Sequence, residues 1–222
     1  DISYTYQEIT SSLYIKKPKC NLDISLVADY IYLEKEHRQK IASENIDILI
    51  LQFQEHRQNI SGNGKVPINF NHPVKEVYWT LQKESNVKTN DHFNFTDTDT
   101  ADPETSHIKS KNILENAKLI FNGIDRTPLL DYKYFGIVQN YQGRNNITVG
   151  LVYVYNFSVN PRSFIPEGSC NFSRLSDPYL YIELKESVKA DINNDSITIV
   201  VYAVNYNILR IRSGMAGIAF YS

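Results

Sequence analysis

Tyr179-Leu-Tyr-Ile-Glu-Leu184 alternates at every step, with Leu180, Ile182 and Leu184 on one face. A period of two marks a strand buried on one side only. Val77-Tyr-Trp-Thr-Leu81 repeats the pattern, with Val77, Trp79 and Leu81 facing one way. Trp79 therefore reads as a core side chain rather than a sugar-stacking platform. Further strands are expected at 48–54, 66–70, 74–82, 117–121, 150–158, 196–205 and 216–221, bounded by Gly, Pro and Asn/Asp clusters. Sixteen tyrosines and frequent Ile and Val suit half-buried pleated surfaces. Eight short strands with long connections make an all-β sandwich or barrel.

Helical signals are few. Residues 34–46 are polar and charged with strong helix formers, which predicts a connector helix lying over a domain. Residues 129–141 carry Leu130, Tyr134 and Val138 at spacing four, with Pro128 at the expected first turn. A helical turn is also expected after Pro161. Residues 83–112 are polar, acidic around 94–103 and nearly free of aliphatics, which predicts a long exposed loop. Asn193-Asn-Asp195 and Gly62-Asn-Gly64 read as turns between strands.

The start of the chain is separate. Residues 21–33 form one strand pattern whose apolar face needs a partner sheet. Residues 1–20 are too few and too polar to supply it. The strand is expected to close a domain that is largely missing from the chain. Position 1 is Asp rather than Met, with no signal-peptide pattern after it, so a fragment or processed product is expected.

The bulk numbers exclude several classes. With 42% hydrophobic residues the chain can fill a core. A net charge of -2, with both signs spread along the chain, offers no counterion-release drive toward nucleic acid. No apolar run approaches the roughly 20 residues of a spanning helix. Cys20 and Cys170 cannot build a disulfide framework and read as reduced packing thiols.

No constellation points to catalysis or to a cofactor. His37, His56, His72, His92 and His107 include no pair at metal-binding spacing. Asp97, Asp99 and Asp102 lack the glycine and bidentate glutamate of a calcium loop. No nucleophile elbow or phosphate-cradling loop occurs. Asn59, Asn94, Asn146, Asn156, Asn171 and Asn194 each begin Asn-x-Ser/Thr, and Asn94, in the expected exposed loop, is the best glycosylation candidate.

Five ordered motifs carry a family resemblance. They are Asn69-Phe-Asn-His-Pro-Val-Lys-Glu-Val-Tyr-Trp79, with His72 and Pro73; Phe121-Asn-Gly-Ile-Asp-Arg126; Gln139-Asn-Tyr-Gln142; Pro166-Glu-Gly-Ser-Cys-Asn-Phe-Ser-Arg-Leu175; and Val201-Tyr-Ala-Val-Asn-Tyr-Asn-Ile-Leu-Arg210 with residues 213–219. Together they resemble the second domain of the major capsid protein of large eukaryotic DNA viruses. Leu26-Val-Ala-Asp-Tyr-Ile-Tyr-Leu33 and the helix after it resemble the last strand of the first domain and its connector.

The resemblance implies two jelly rolls side by side, with 1–33 a remnant of the first, 34–46 the connector and 47–222 the second, an eight-stranded sandwich. It implies a homotrimeric, pseudo-hexagonal capsomer in an icosahedral shell, with loop 83–112 at the capsomer top. It further implies contacts with neighbouring capsomers and minor capsid proteins, none with nucleic acid, and residence in a virion assembled in host cytoplasm. The motif residues implied to matter structurally are His72, Pro73, Trp79, Gly168, Cys170, Asn171, Phe172, Arg174, Asn205, Tyr206, Arg210, Gly214 and Gly217. Arg174 reads either as an anchor for carbonyls or a carboxylate, or as an exposed charge. Gly214 and Gly217 are expected to supply unusual backbone conformations. A carbohydrate-binding β-sandwich, such as a receptor-binding or fibre-head domain, is the competing class.

Overall fold

The computed structural model describes residues 25–97, 112–143, 151–191 and 195–221. The chain divides into residues 1–40 and 41–222. In the first unit, residues 25–34 have no regular secondary structure. The strand expected at 21–33 is therefore not formed over its described part. Leu26, Val27, Tyr30, Ile31 and Tyr32 are exposed, and a strand without a ladder partner leaves its backbone groups to water. Helix α1 (Lys35–Ser43) forms inside the expected connector and buries none of its residues.

The second unit is a sandwich of two antiparallel sheets. The strands are β1 (Ile46–Ile60), β2 (Gly64–Pro67), β3 (Pro73–Lys83), β4 (Leu114–Phe121), β5 (Ile124–Asp125), β6 (Leu130–Asp131), β7 (Tyr153–Asn156), β8 (Cys170–Asn171), β9 (Tyr179–Leu184), β10 (Ile197–Arg212) and β11 (Met215–Ile218). The larger sheet runs β1-β10-β3-β7, with β11 added to β10 and β8 to β3. The smaller runs β2-β9-β4-β5, with β6 on β4. Successive strands alternate between sheets before returning, which is the double Greek key of a jelly roll. All eight expected strands are present, and β5, β6 and β8 are short additions.

Alternation decides what is buried. In β9 the inward set Leu180, Ile182 and Leu184 is fully buried. Trp79 is fully buried too, its ring 5.1 Å from Phe135 and 6.0 Å from Tyr153. At the other end of the core Phe172 meets Phe121 at 5.5 Å, Phe157 at 5.7 Å and Phe70 at 6.0 Å. Two hairpins are closed by two-residue turns with positive φ at both positions: Asn122 (54°) and Gly123 (76°), and Ser213 (51°) and Gly214 (75°). That pair of angles matches the right-handed strand twist. Gly214 meets its expectation; Gly217 does not, since it sits in β11 paired with Arg210 and has no positive φ.

Three boundaries differ from the expectation. The helix expected from 129 begins later, because Leu130 and Asp131 are claimed by pairing with β4; a π turn (Tyr134–Val138) then leads into α3 (Gln139–Gln142). After Pro161 there is a single turn, closed by Ser163 N–H donating to Asn160 O at 3.1 Å. The 83–112 segment is not an open loop throughout. Helix α2 (Glu84–Lys88) starts it, with Ser85 N–H held by Asp195 Oδ1 at 2.9 Å. Lys83 and Asp97 pair at 2.6 Å, both nearly buried, and Thr96 bridges Asn112. Residues 98–111, including Asp99, Asp102 and His107, lie outside the described residues, as do Cys20, Asn146 and Asn194.

Asn94 corrects a second expectation. It is buried, and its Oδ1 accepts from Thr96 N–H at 3.0 Å and Thr96 Oγ1 at 2.6 Å. A side chain that closes its own turn is a poor sugar acceptor.

Candidate functional site

Most of the motif residues, among them Pro73, Cys170, Asn171, Asn205, Tyr206 and Arg210, belong to the larger sheet. Its organising feature is a bulge in β3. Val204 pairs with Glu76 and Asn205 with Val74, so Lys75 has no ladder partner. A bulge re-aims side chains, and here consecutive residues Lys75 and Glu76 are both buried. Lys75 Nζ donates to Pro161 O at 2.6 Å and stands 6.0 Å from the Tyr206 ring centroid. Glu76 Oε2 accepts from Tyr78 Oη at 2.6 Å, and Oε1 lies 3.7 Å from Lys75 Nζ. The Lys75 carbonyl accepts from Phe157 N–H at 2.8 Å and Ser158 N–H at 3.2 Å. One bulged residue thus clamps the segment after β7 through both backbone and side chain.

The same segment is closed at its far end. Val159 N–H donates to Glu167 O at 3.1 Å, and Gly168 (φ +123°) passes directly over residue 157. A Cβ at 168 would meet Phe157 O at 2.9 Å. We expect Gly168→Ala to lose about 2–4 kcal/mol, from a positive-φ residue forced against backbone that cannot yield. A melting temperature equal to wild type would refute that role. The clamped loop presents Val159, Phe164 and Ile165, with Phe164 97% exposed. Fixed apolar side chains at a loop tip are a contact device rather than core.

The next motif packs beside it. Cys170 and Asn171 form β8 against Val74 and Pro73. His72 (φ 69°) donates its N–H to Ser173 Oγ at 2.8 Å, and its carbonyl accepts from Phe172 N–H at 3.0 Å. Asn171 Oδ1 accepts from Ser173 N–H at 3.2 Å, capping the turn that drives Phe172 into the core. Burial raises the half-buried Cys170 thiol above its ordinary pKa, the opposite of an activated nucleophile. Asn205 is fully buried, accepts from Gln54 Nε2 at 3.0 Å and donates to Tyr206 O at 3.2 Å. Arg210 grips Asp47 through two nitrogens, at 3.0 and 3.2 Å, tying β10 to the start of β1. That guanidinium holds the Asp47 carboxyl below its ordinary pKa.

Arg174 is the motif residue that fails as an intramolecular anchor. It ends the turn exposed, and among the described residues it makes no hydrogen bond or ion pair. Arg174→Ala is expected to leave the unfolding free energy of the folded protein within about 0.5 kcal/mol of wild type. A larger loss in a thermal melt would restore the anchor.

His72, Pro73, Asn171 and Tyr206 line an apolar groove of about 350 Å³, completed by Leu49 and Phe220. Along β1 beside it, Leu49, Leu51 and Phe53 are exposed on the outer face. Reasoning from the sequence missed the roles of Lys75 and Glu76 and the exposed tip. The bulge had a signal: Val74 and Val77 are both apolar, and odd spacing breaks strand parity. The tip had none, since Phe164 and Ile165 read like any apolar pair.

Among the described residues no three His, Cys, Asp or Glu side chains come together as a metal site, and no helix is long and apolar enough to cross a membrane. The motifs act as clamps, and the geometry they hold is a wall with an apolar tip and groove. Fold and site together define a viral-type jelly roll of the shell-building class. The family model described as "Large eukaryotic DNA virus major capsid protein" matches residues 37–217, and the chain belongs to that family. It is 28% identical to the major capsid protein of Phaeocystis pouchetii virus, with 88% of this chain and 52% of that protein covered. It is 33% identical to "Probable capsid protein 4" of Acanthamoeba polyphaga mimivirus, covering 89% and 38%. Among solved structures, the PBCV-1 virus capsid superimposes with a TM-score of 0.70 at 26% identity, over 87% of this chain and 56% of that one. The chain spans about half the length of most of the relatives it matches.

Proposed function

We propose that this chain is the C-terminal jelly roll and connector of a major capsid protein, and that its work is to tile an icosahedral virion shell rather than to catalyse a reaction. Family membership over residues 37–217 carries this reading. Residues 25–33 then supply the last strand of a first jelly roll once that domain is present, which accounts for the six large hydrophobic side chains exposed there. Three copies close into a pseudo-hexagonal trimer, and trimers pack against neighbouring capsomers and minor capsid proteins. Segment 83–112 faces outward at the capsomer top, and assembly takes place in host cytoplasm.

A cyclic trimer uses two different patches of each subunit. The clamped tip at Phe164 and Ile165 and the outer face of β1 at Leu49, Leu51 and Phe53 are two of the exposed apolar surfaces among the described residues, and they are the pair assigned to this contact. Many weak contacts of this kind become strong when repeated across a lattice. The test is the full-length protein carrying Phe164→Asp and Ile165→Asp. Native mass should fall from trimer to monomer while the melting profile of the subunit is kept. A trimer that survives both substitutions removes the tip from the interface, and a wild-type protein that never trimerises removes the capsomer reading.

A further inference from the structure

The smaller sheet presents a different outer face. Tyr179, Tyr181 and Glu183 alternate outward along β9. Tyr181 is paired with Lys65 on β2 and with Lys118 on β4. The two tyrosines form the floor of an open cleft of about 970 Å³. Lys65 Nζ lies 5.5 Å from the Tyr179 ring centroid, and Lys118 Nζ lies 5.7 Å from that of Tyr181.

The charges in the cleft are unequal in their engagement. Lys118 pairs with Asp125 at 2.8 Å. Glu183 accepts from Asn116 Nδ2 at 2.9 Å and from Tyr181 Oη at 3.4 Å. Among the described residues the Lys65 ammonium makes no hydrogen bond or ion pair, and neither does the Asp177 carboxylate. The cleft therefore keeps one ammonium, held only over the Tyr179 ring, and one carboxylate, each with its hydrogen-bonding capacity unused among the described residues.

That combination selects a ligand class. Three carboxylates against two ammoniums repel a polyanion such as nucleic acid or a sulfated glycan. The polar rim disfavours an apolar guest, which would strip water from charges without replacing it. A neutral sugar fits both needs: its C–H face lies on tyrosine, and its hydroxyls donate to a carboxylate and accept from an ammonium. The volume is in the range of small-molecule sites. We propose that this face is a binding cleft for neutral saccharides, with Tyr179 and Tyr181 as the platform and Asp177 and Lys65 as the hydroxyl partners. The cleft is on the sheet opposite the apolar wall, so the inference does not depend on the shell reading.

The experiment uses the full-length protein on an array of neutral and sulfated oligosaccharides, followed by titration with the strongest neutral binder. Neutral glycans alone should bind. Tyr181→Ala should weaken that binding by about tenfold, the scale of one lost aromatic contact. Asp177→Asn, in an exposed turn, should weaken it while leaving the melting temperature unchanged, which guards against a tyrosine variant that misfolds. No binding to any neutral glycan, preference for sulfated ones, or equal affinity in both variants overturns the proposal. Native mass measured in parallel reports on trimerisation separately.

Discussion

Trp79→Ala is expected to cost about 3–5 kcal/mol, the range for emptying a fully buried large aromatic site. Domains of this size are stable by only about 5–15 kcal/mol, so the variant should be recovered poorly or melt far below wild type. The size follows from position. Trp79 sits in the central part of β3, between β10 and β7 in the ladder, and fills the space against Phe135 and Tyr153. Those rings come from separate elements and cannot collapse together into the hole. The indole Nε1 is buried with no hydrogen-bond partner among the described residues. Nothing polar is therefore lost with the ring, and Trp79→Phe should recover most of the stability. Thermal melts of both variants in the full-length protein test this. Equal losses for Ala and Phe would mean that the indole N–H, not the packing, is what matters.

Lys75→Met is the second large effect, at about 3–5 kcal/mol, the scale for breaking a buried charged pair from one side. The methionine keeps the stem but loses the bond to Pro161 O, and it leaves the Glu76 carboxylate buried beside Tyr78. The double variant Lys75→Met, Glu76→Leu should be more stable than the single, because no uncompensated charge remains. Local structure reports the same event. Released from its clamp, the loop carrying Phe164 should exchange its amide hydrogens faster than in wild type. A single variant that loses less than about 1 kcal/mol and keeps its exchange protection would show that the backbone bonds to Phe157 and Ser158 hold the loop unaided.

Much of the sandwich was legible because its signals are local. Strict alternation located Tyr179–Leu184 to the residue, and it placed Trp79 in the core. The turn at Asn122 and Gly123 follows the pairing of those two residue types with positive φ. What failed was non-local. Residues 25–33 have a strand's pattern but form no strand among the described residues, and a pattern alone does not satisfy a backbone. Asn94 and Asn86 sit in a polar stretch and are still buried, because each is fixed by contacts within that segment. Leu130 was claimed by pairing with Ala117 rather than by the helix its spacing favoured.

Composition and strand parity determined by themselves that this is a largely β chain, and the order of five motifs carried its resemblance to the large DNA virus capsid family. Parity is read one residue at a time, and motifs survive as local strings. Only the tertiary structure decided that Lys75, Gly168 and the exposed Phe164 are parts of one device, and that Arg174 is not. Lys75 is 86 residues from the carbonyl it binds, and a side chain's burial depends on what the rest of the chain brings to it.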